Sequence, residues 1–138
     1  MNISLEIIQK EVCSYYDLTP EQLFKRTRKR EYMYPRQVFH YLCCMHTRKS
    51  LTDIGKHAKR EGFTGWVQDH ATVLHSRETV RNNLATYNND VRDMDYLNEA
   101  IERYKLIEYP LIPTEVNLLK GLVEVKNIET IYEEVLVN

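Results

Sequence analysis

From Ile3 to Tyr104 the apolar residues recur every three or four positions and never settle into alternation with polar ones. That spacing lines one face of a helix and no face of a strand. A hundred residues of it restrict the chain to helices packed on helices. Glycine and proline, four of each in 138 residues, are also too few for a turn-rich β sandwich. The first hundred residues are therefore expected to be all-α.

Ile3, Ile7, Ile8, Val12 and Tyr15 share one face, which predicts an amphipathic helix over 3–16. Thr19-Pro20-Glu21-Gln22 follows, with a hydroxyl to cap, proline at the first helical position and glutamine three residues after the cap. A short second helix from Pro20 to Phe24 is expected there. Lys25–Arg30 has no apolar period and reads as a loop. Pro35 is expected to open a third helix, burying Val38, Phe39, Leu42, Cys43 and either Met45 or His46. Ser50 caps a fourth that turns Leu51, Ile54 and Ala58 inward, and a loop with Gly62 and Gly65 follows. Asp69 caps a fifth bearing Val73, Leu74, Val80 and Leu84. Asn88–Asp90 break the pattern, and Met94, Leu97, Ala100, Ile101 and Tyr104 define a sixth. Six helices over residues 1–105 make the expected domain.

The remainder, 106–138, is expected to be an extension of mixed or helical character. Pro110 and Pro113 exclude one continuous helix. Leu111, Ile112, Leu118, Leu119, Leu122, Val123, Ile131, Leu136 and Val137 are more apolar side chains than a free tail needs. They are expected to pack on the domain or on a partner, either a second copy or another protein.

Charge is balanced overall, at −1, but not locally. Residues 1–80 hold 13 Lys/Arg and 9 Asp/Glu, and residues 81–138 hold 6 and 11. Lys25, Arg26, Arg28, Lys29, Arg30 and Arg36 face only Glu31 nearby. Screening over roughly 10 Å hides the distant acids, so such a patch attracts phosphate whatever the total. Cys13, Cys43 and Cys44 do not form a disulfide framework. Cys43 and Cys44 beside His40 and His46 suggest zinc only superficially, because adjacent cysteines diverge around a helix. Asp90, Asp93 and Asp95 suit the first turn of a helix without an ion. No metal and no cofactor are expected. MNISLEIIQKEV carries charge too early for a secretory leader and no apolar run approaches membrane-spanning length, so a cytoplasmic location is expected. No nucleophile–base set has supporting context, and Gly55, Gly62 and Gly65 form no phosphate loop; the chain is not expected to be an enzyme.

Three motifs stand in order: RKREYMYPRQ at 28–37, SLTDIG at 50–55 and DHATVLH at 69–75. Two capped helices joined by a connector, the second opening on short polar side chains, follow the logic of a helix-turn-helix, whose recognition helix reads base edges in the major groove. Together these motifs resemble the C-terminal duplex-binding domain of the bacterial initiator DnaA, a Trp-repressor-like helix-turn-helix fold, over about residues 3–105. The resemblance implies double-stranded DNA as partner, a role in replication initiation or its regulation, and a nucleoid-associated location. It implies that Arg28 enters the minor groove and that Asp69 and His70 contact bases. It also implies that Ala71 offers a methyl group to thymine, and that Lys25 or Arg26, Arg36 and Thr72 hold phosphates. Arg30, Gln37, Ser50, Gln68 and His75 complete the candidate DNA-binding set, with His75 expected to be packed or helix-orienting. The family's ATPase has no counterpart motif in this sequence.

Two departures bear on the preferred DNA site. The family's compact turn is replaced by the longer KHAKREGFTGWVQ, 56–68, and its arginine before the DH pair is Gln68 here. Phe63 and Trp66 in that connector are expected to plug it against the core. Tyr32 and Tyr34 suit either packing under the loop or stacking on DNA. Two other functions use the same fold: a protein-interaction or dimerisation module that has lost DNA, with the extension meeting a replication protein or a second copy, and a regulator of transcription or of a mobile element.

Overall fold

The computed structural model describes residues 3–108, which form six helices: α1 Leu5–Tyr16, α2 Pro20–Leu23, α3 Arg30–His46, α4 Leu51–Arg60, α5 His70–Thr86 and α6 Asn88–Glu108. Among the described residues there is no strand, and the fold is all-α as the periodicity requires. No described helix is long and apolar enough to cross a membrane. Expectations placed on the tail beyond residue 108 lie outside the described residues.

The helix starts follow local chemistry. Thr19 Oγ1 accepts from Gln22 N at 3.1 Å while Gln22 Oε1 accepts from Thr19 N at 2.9 Å, a reciprocal capping box. Ser50 Oγ accepts from Asp53 N at 3.1 Å and Asp69 Oδ1 from Thr72 N at 2.8 Å. Ser4 caps α1 in the same way. Each cap satisfies a backbone donor that the first helical turn leaves without a partner.

α3 is the axis of the domain, packing against α1, α2, α4 and α5, while α5 also packs on α4. Val38, Phe39, Leu42 and Cys43 are fully buried along it, among Ile8, Val12, Leu23, Phe24, Ile54, Val73, Val80, Leu97 and Ile101. Phe24 meets Phe39 edge-on at 5.2 Å between ring centroids. Each side chain of this size contributes roughly 1.5–3 kcal/mol by leaving water.

Several boundaries and faces differ from the sequence reading. Pro35 does not open α3; the helix begins five residues earlier, with Met33 N already bonded to Lys29 O at 2.8 Å. Inside the helix Pro35 forgoes the bond an N–H there would have made to Glu31 O, and the residue is buried. The span 56–68 is not all connector, because α4 continues through Arg60 and buries His57 and Ala58. It ends when Gly62 takes φ 80°, with Gly62 N on Lys59 O at 3.1 Å and Phe63 N on Ala58 O at 2.9 Å, the paired bonds of a Schellman stop. Leu74 is exposed, since it points away from the α3 contact that buries Val73. Of the pair Met45 and His46, His46 turns inward and Met45 is 56% exposed. Asn88–Asp90 begin α6, and Tyr87 alone separates it from α5.

Candidate nucleic-acid interface

The two helices of the helix-turn-helix approach at one glycine. A Cβ on Gly55 would lie 1.9 Å from Gln68 O, and Gly55 O accepts from Gln68 N at 3.1 Å. No side chain fits there, so this close backbone approach fixes where α5 begins relative to α4. Three buried side chains fix it relative to α3. His40 Nε2 stands 2.6 Å from Gln68 Oε1 and His40 Nδ1 stands 2.9 Å from Ser76 Oγ. With the amide oxygen accepting, Nε2 carries the proton and Nδ1 accepts from the hydroxyl, which is neutral imidazole. Burial, and after it the nearby Arg36 charge, pushes the His40 pKa down to about 4, outweighing the upward pull of the Gln68 bond.

One turn before His40 on α3, Arg36 is also buried, yet it faces no carboxylate within ion-pair distance among the described residues. Its guanidinium instead gathers the carbonyls of the basic loop. Nη1 donates to Lys25 O at 2.5 Å and, more weakly, to Leu23 O at 3.5 Å, while Nη2 donates to Thr27 O at 3.0 Å. The loop between α2 and α3 is thus wrapped around a cation from α3, which holds its own charged side chains outward.

These elements enclose an open cleft of about 650 Å³. It is lined by Arg26, Thr27 and Arg28 of the basic loop, Met33, Arg36, Gln37 and His40 of α3, Trp66 of the connector, and Thr72, His75 and Ser76 of α5. Of the candidate residues, Arg26, Arg28, Arg36, Gln37, Thr72 and His75 therefore meet at one place. Arg26, Arg28, Thr72 and His75 are exposed, Gln37 is half-buried and Arg36 is buried. Of the two roles expected for His75, packing is not met, because the residue is solvent-facing; its Nε2 stands 3.4 Å from Thr79 Oγ1 one turn further along α5. Lys25, Arg30, Ser50, Gln68, Asp69, His70 and Ala71 do not line the cleft. Lys25 and Arg30 are exposed and lie over the rings of Tyr32 and Tyr34, at 5.9 and 5.1 Å. Ser50 and Asp69 spend a side-chain oxygen on their caps, and Gln68 is buried. His70 and Ala71 are exposed in the first turn of α5. Thr72 N donating to the Asp69 carboxylate holds that carboxyl below its ordinary pKa.

His40, Met33, Thr27, Ser76 and Trp66 belong to the cleft, and none of them stood in the candidate set. Phe63 does plug the connector, with its ring 6.0 Å from Phe24 and nearly parallel to it. Trp66 does something else: its ring faces Arg26 and Arg36, and its Nε1–H donates to Phe24 O at 3.0 Å. Among the described residues no group of three or more His, Cys, Asp or Glu side chains is arranged to hold a metal.

A capped, glycine-joined helix pair, with a basic loop held beside the start of the second helix, defines the class: a helix-turn-helix domain. The chain belongs to the family described as the bacterial dnaA protein helix-turn-helix, which matches residues 5–80. It is similar to the chromosomal replication initiator protein DnaA of Chlorobaculum tepidum, at 35% identity over 100 residues, covering 72% of this chain and 19% of that protein. Similar stretches occur in DnaA of Caldanaerobacter subterraneus subsp. tengcongensis, 32% identical over 102 residues, and of Ruegeria pomeroyi, 34% over 100. They cover 74% and 72% of this chain, and 21% and 20% of those proteins. The chain thus spans about a fifth of the length of the curated relatives it matches.

Proposed function

We propose that this domain binds double-stranded DNA with sequence preference, in the initiation of chromosomal replication or its control. The observation that carries the reading is the cleft that Arg26 and Arg28 of the basic loop line together with Thr72 and His75 of α5. Exposed arginines beside the first turns of a capped helix supply both halves of duplex recognition. Charge captures and orients the phosphate backbone, and the helix start reads base edges in the major groove. Arg28 reaches into the adjacent minor groove, while Lys25, Arg26 and Arg30 contact phosphates. His70, Ala71, Thr72 and His75 present the reading surface. Arg36 serves by shaping the loop, and Gln68 by setting the start of α5. The replication role rests on the names of the relatives, all chromosomal replication initiators.

Fluorescence anisotropy with a labelled duplex carrying the family's recognition box and a scrambled duplex, at two salt concentrations, tests this. Box-selective binding with a steep salt slope is expected, and Arg28→Ala or His70→Ala should weaken the box complex by about 1–3 kcal/mol while narrowing its advantage. Equal binding to both duplexes removes the sequence preference. No binding at low salt overturns the proposal.

A further inference from the structure

We propose that Trp66 is a positioning residue for the phosphate-binding loop. The inference rests on the duplex-binding reading above and names a part of that site carried by the connector. Trp66 is the chain's one tryptophan, placed between the Schellman stop of α4 and the start of α5. The apolar plug of this connector is already supplied by Phe63, so a second plug is not needed. Trp66 is half-buried, with its polar edge turned inward to the Phe24 carbonyl and its ring lining the cleft. The Arg26 and Arg36 guanidinium carbons lie 5.6 and 5.7 Å from the ring centroid.

These contacts make a three-part brace. Phe24 ends the α2 segment, Arg26 and Arg36 bracket the basic loop, and Trp66 joins them to the segment leading into α5. A guanidinium over an aromatic face is attracted by the ring yet keeps N–H donors for an anion. Ordering such a side chain before the phosphate arrives removes part of the entropy cost of binding. The brace also links the element that captures backbone to the element that reads bases, so that both meet the duplex in one register.

The test compares Trp66→Phe with Trp66→Leu in the full chain, by anisotropy on both duplexes at two salt concentrations and by thermal unfolding. Either residue fills the space with apolar atoms, but only phenylalanine keeps a face for the arginines. Trp66→Leu should lose about tenfold in affinity for both duplexes and show a shallower salt slope. Trp66→Phe should recover most of each. Adding Arg26→Gln to Trp66→Leu should cost less than Arg26→Gln costs alone, because the two act as a unit. If the two Trp66 variants bind alike, or track only their melting temperatures, the brace is overturned while duplex binding stands. If the unaltered chain binds neither duplex at low salt, both readings fall together.

Discussion

Two polar clusters join α3 to the segment leading into α5, and they are built in opposite ways. The inner one, His40 with Gln68 and Ser76, is buried and neutral, at hydrogen-bond distances of 2.6 and 2.9 Å. The outer one, exposed Arg26 and buried Arg36 on half-buried Trp66, is charged and reaches solvent through Arg26. Arg36 and His40 are four residues apart on α3, so one helix face supplies both. Burial decides what each can do. A neutral cluster in a low-dielectric interior specifies position, and leaving any member without a partner is costly. A cation held at the cleft with its face on a ring keeps its field toward solvent. The inner cluster therefore governs where α5 lies, and the outer one governs what the surface attracts.

The largest expected effect removes the distinction altogether. Gly55→Ala places a methyl group at 1.9 Å from Gln68 O, a backbone atom that cannot rotate away. The segment before α5 must shift, and with it Gln68 of the inner cluster and Trp66 of the outer one. Overpacking against backbone, plus loss of the Gln68 N–Gly55 O bond, should lower stability by more than about 3 kcal/mol. Urea unfolding checks it. A folded Gly55→Ala variant with unchanged midpoint and unchanged duplex binding would mean that the close approach does not set the helix pair.

Acid separates the two clusters. The His40 pKa is about 4 when folded, against about 6.5 when unfolded, so the unfolded chain takes up a proton that the folded chain refuses. Stability from this group is complete above pH 6.5 and declines as pH falls toward 4, by about 2–3 kcal/mol in total. His46 and His57 are also pushed down, chiefly by burial, and add to the same slope. Urea midpoints from pH 7 to 4 should therefore fall, and His40→Gln should flatten part of that fall. An unaltered pH slope in His40→Gln would remove the imidazole from the account.

Much of this was legible in the sequence where structure is decided locally. Thr19 with Gln22, Ser50 and Asp69 announce helix starts because a cap is a contact between residues three apart. Pro35 misleads by the same local logic: proline favours a first turn, but here it stands inside a helix that begins at Arg30. Gly62 carried a stop signal that divides 56–68 into helix and loop. The outer residues Arg26, Arg28, Thr72 and His75 were legible as charge and motif. Trp66 and His40 were not, since their partners lie 42, 28 and 36 residues away. A histidine or tryptophan on a helical pattern does not reveal such contacts.

The smallest effect separates capping from reading at Asp69. Its carboxylate accepts from Thr72 N at 2.8 Å, while the family resemblance assigns it a base contact. Alanine removes both possibilities, and asparagine keeps the cap while removing the charge. Asp69→Ala should lower stability measurably and Asp69→Asn should leave it nearly unchanged, as urea unfolding reads. If Asp69 also accepts a hydrogen bond from cytosine N4, Asp69→Asn should shift base preference at one position of the preferred site without lowering stability. Site selection from a randomised duplex pool reads that shift. Identical preferred sites for Asp69→Asn and the unaltered chain would confine Asp69 to its cap, leaving His70 and the residues after it to do the reading from α5.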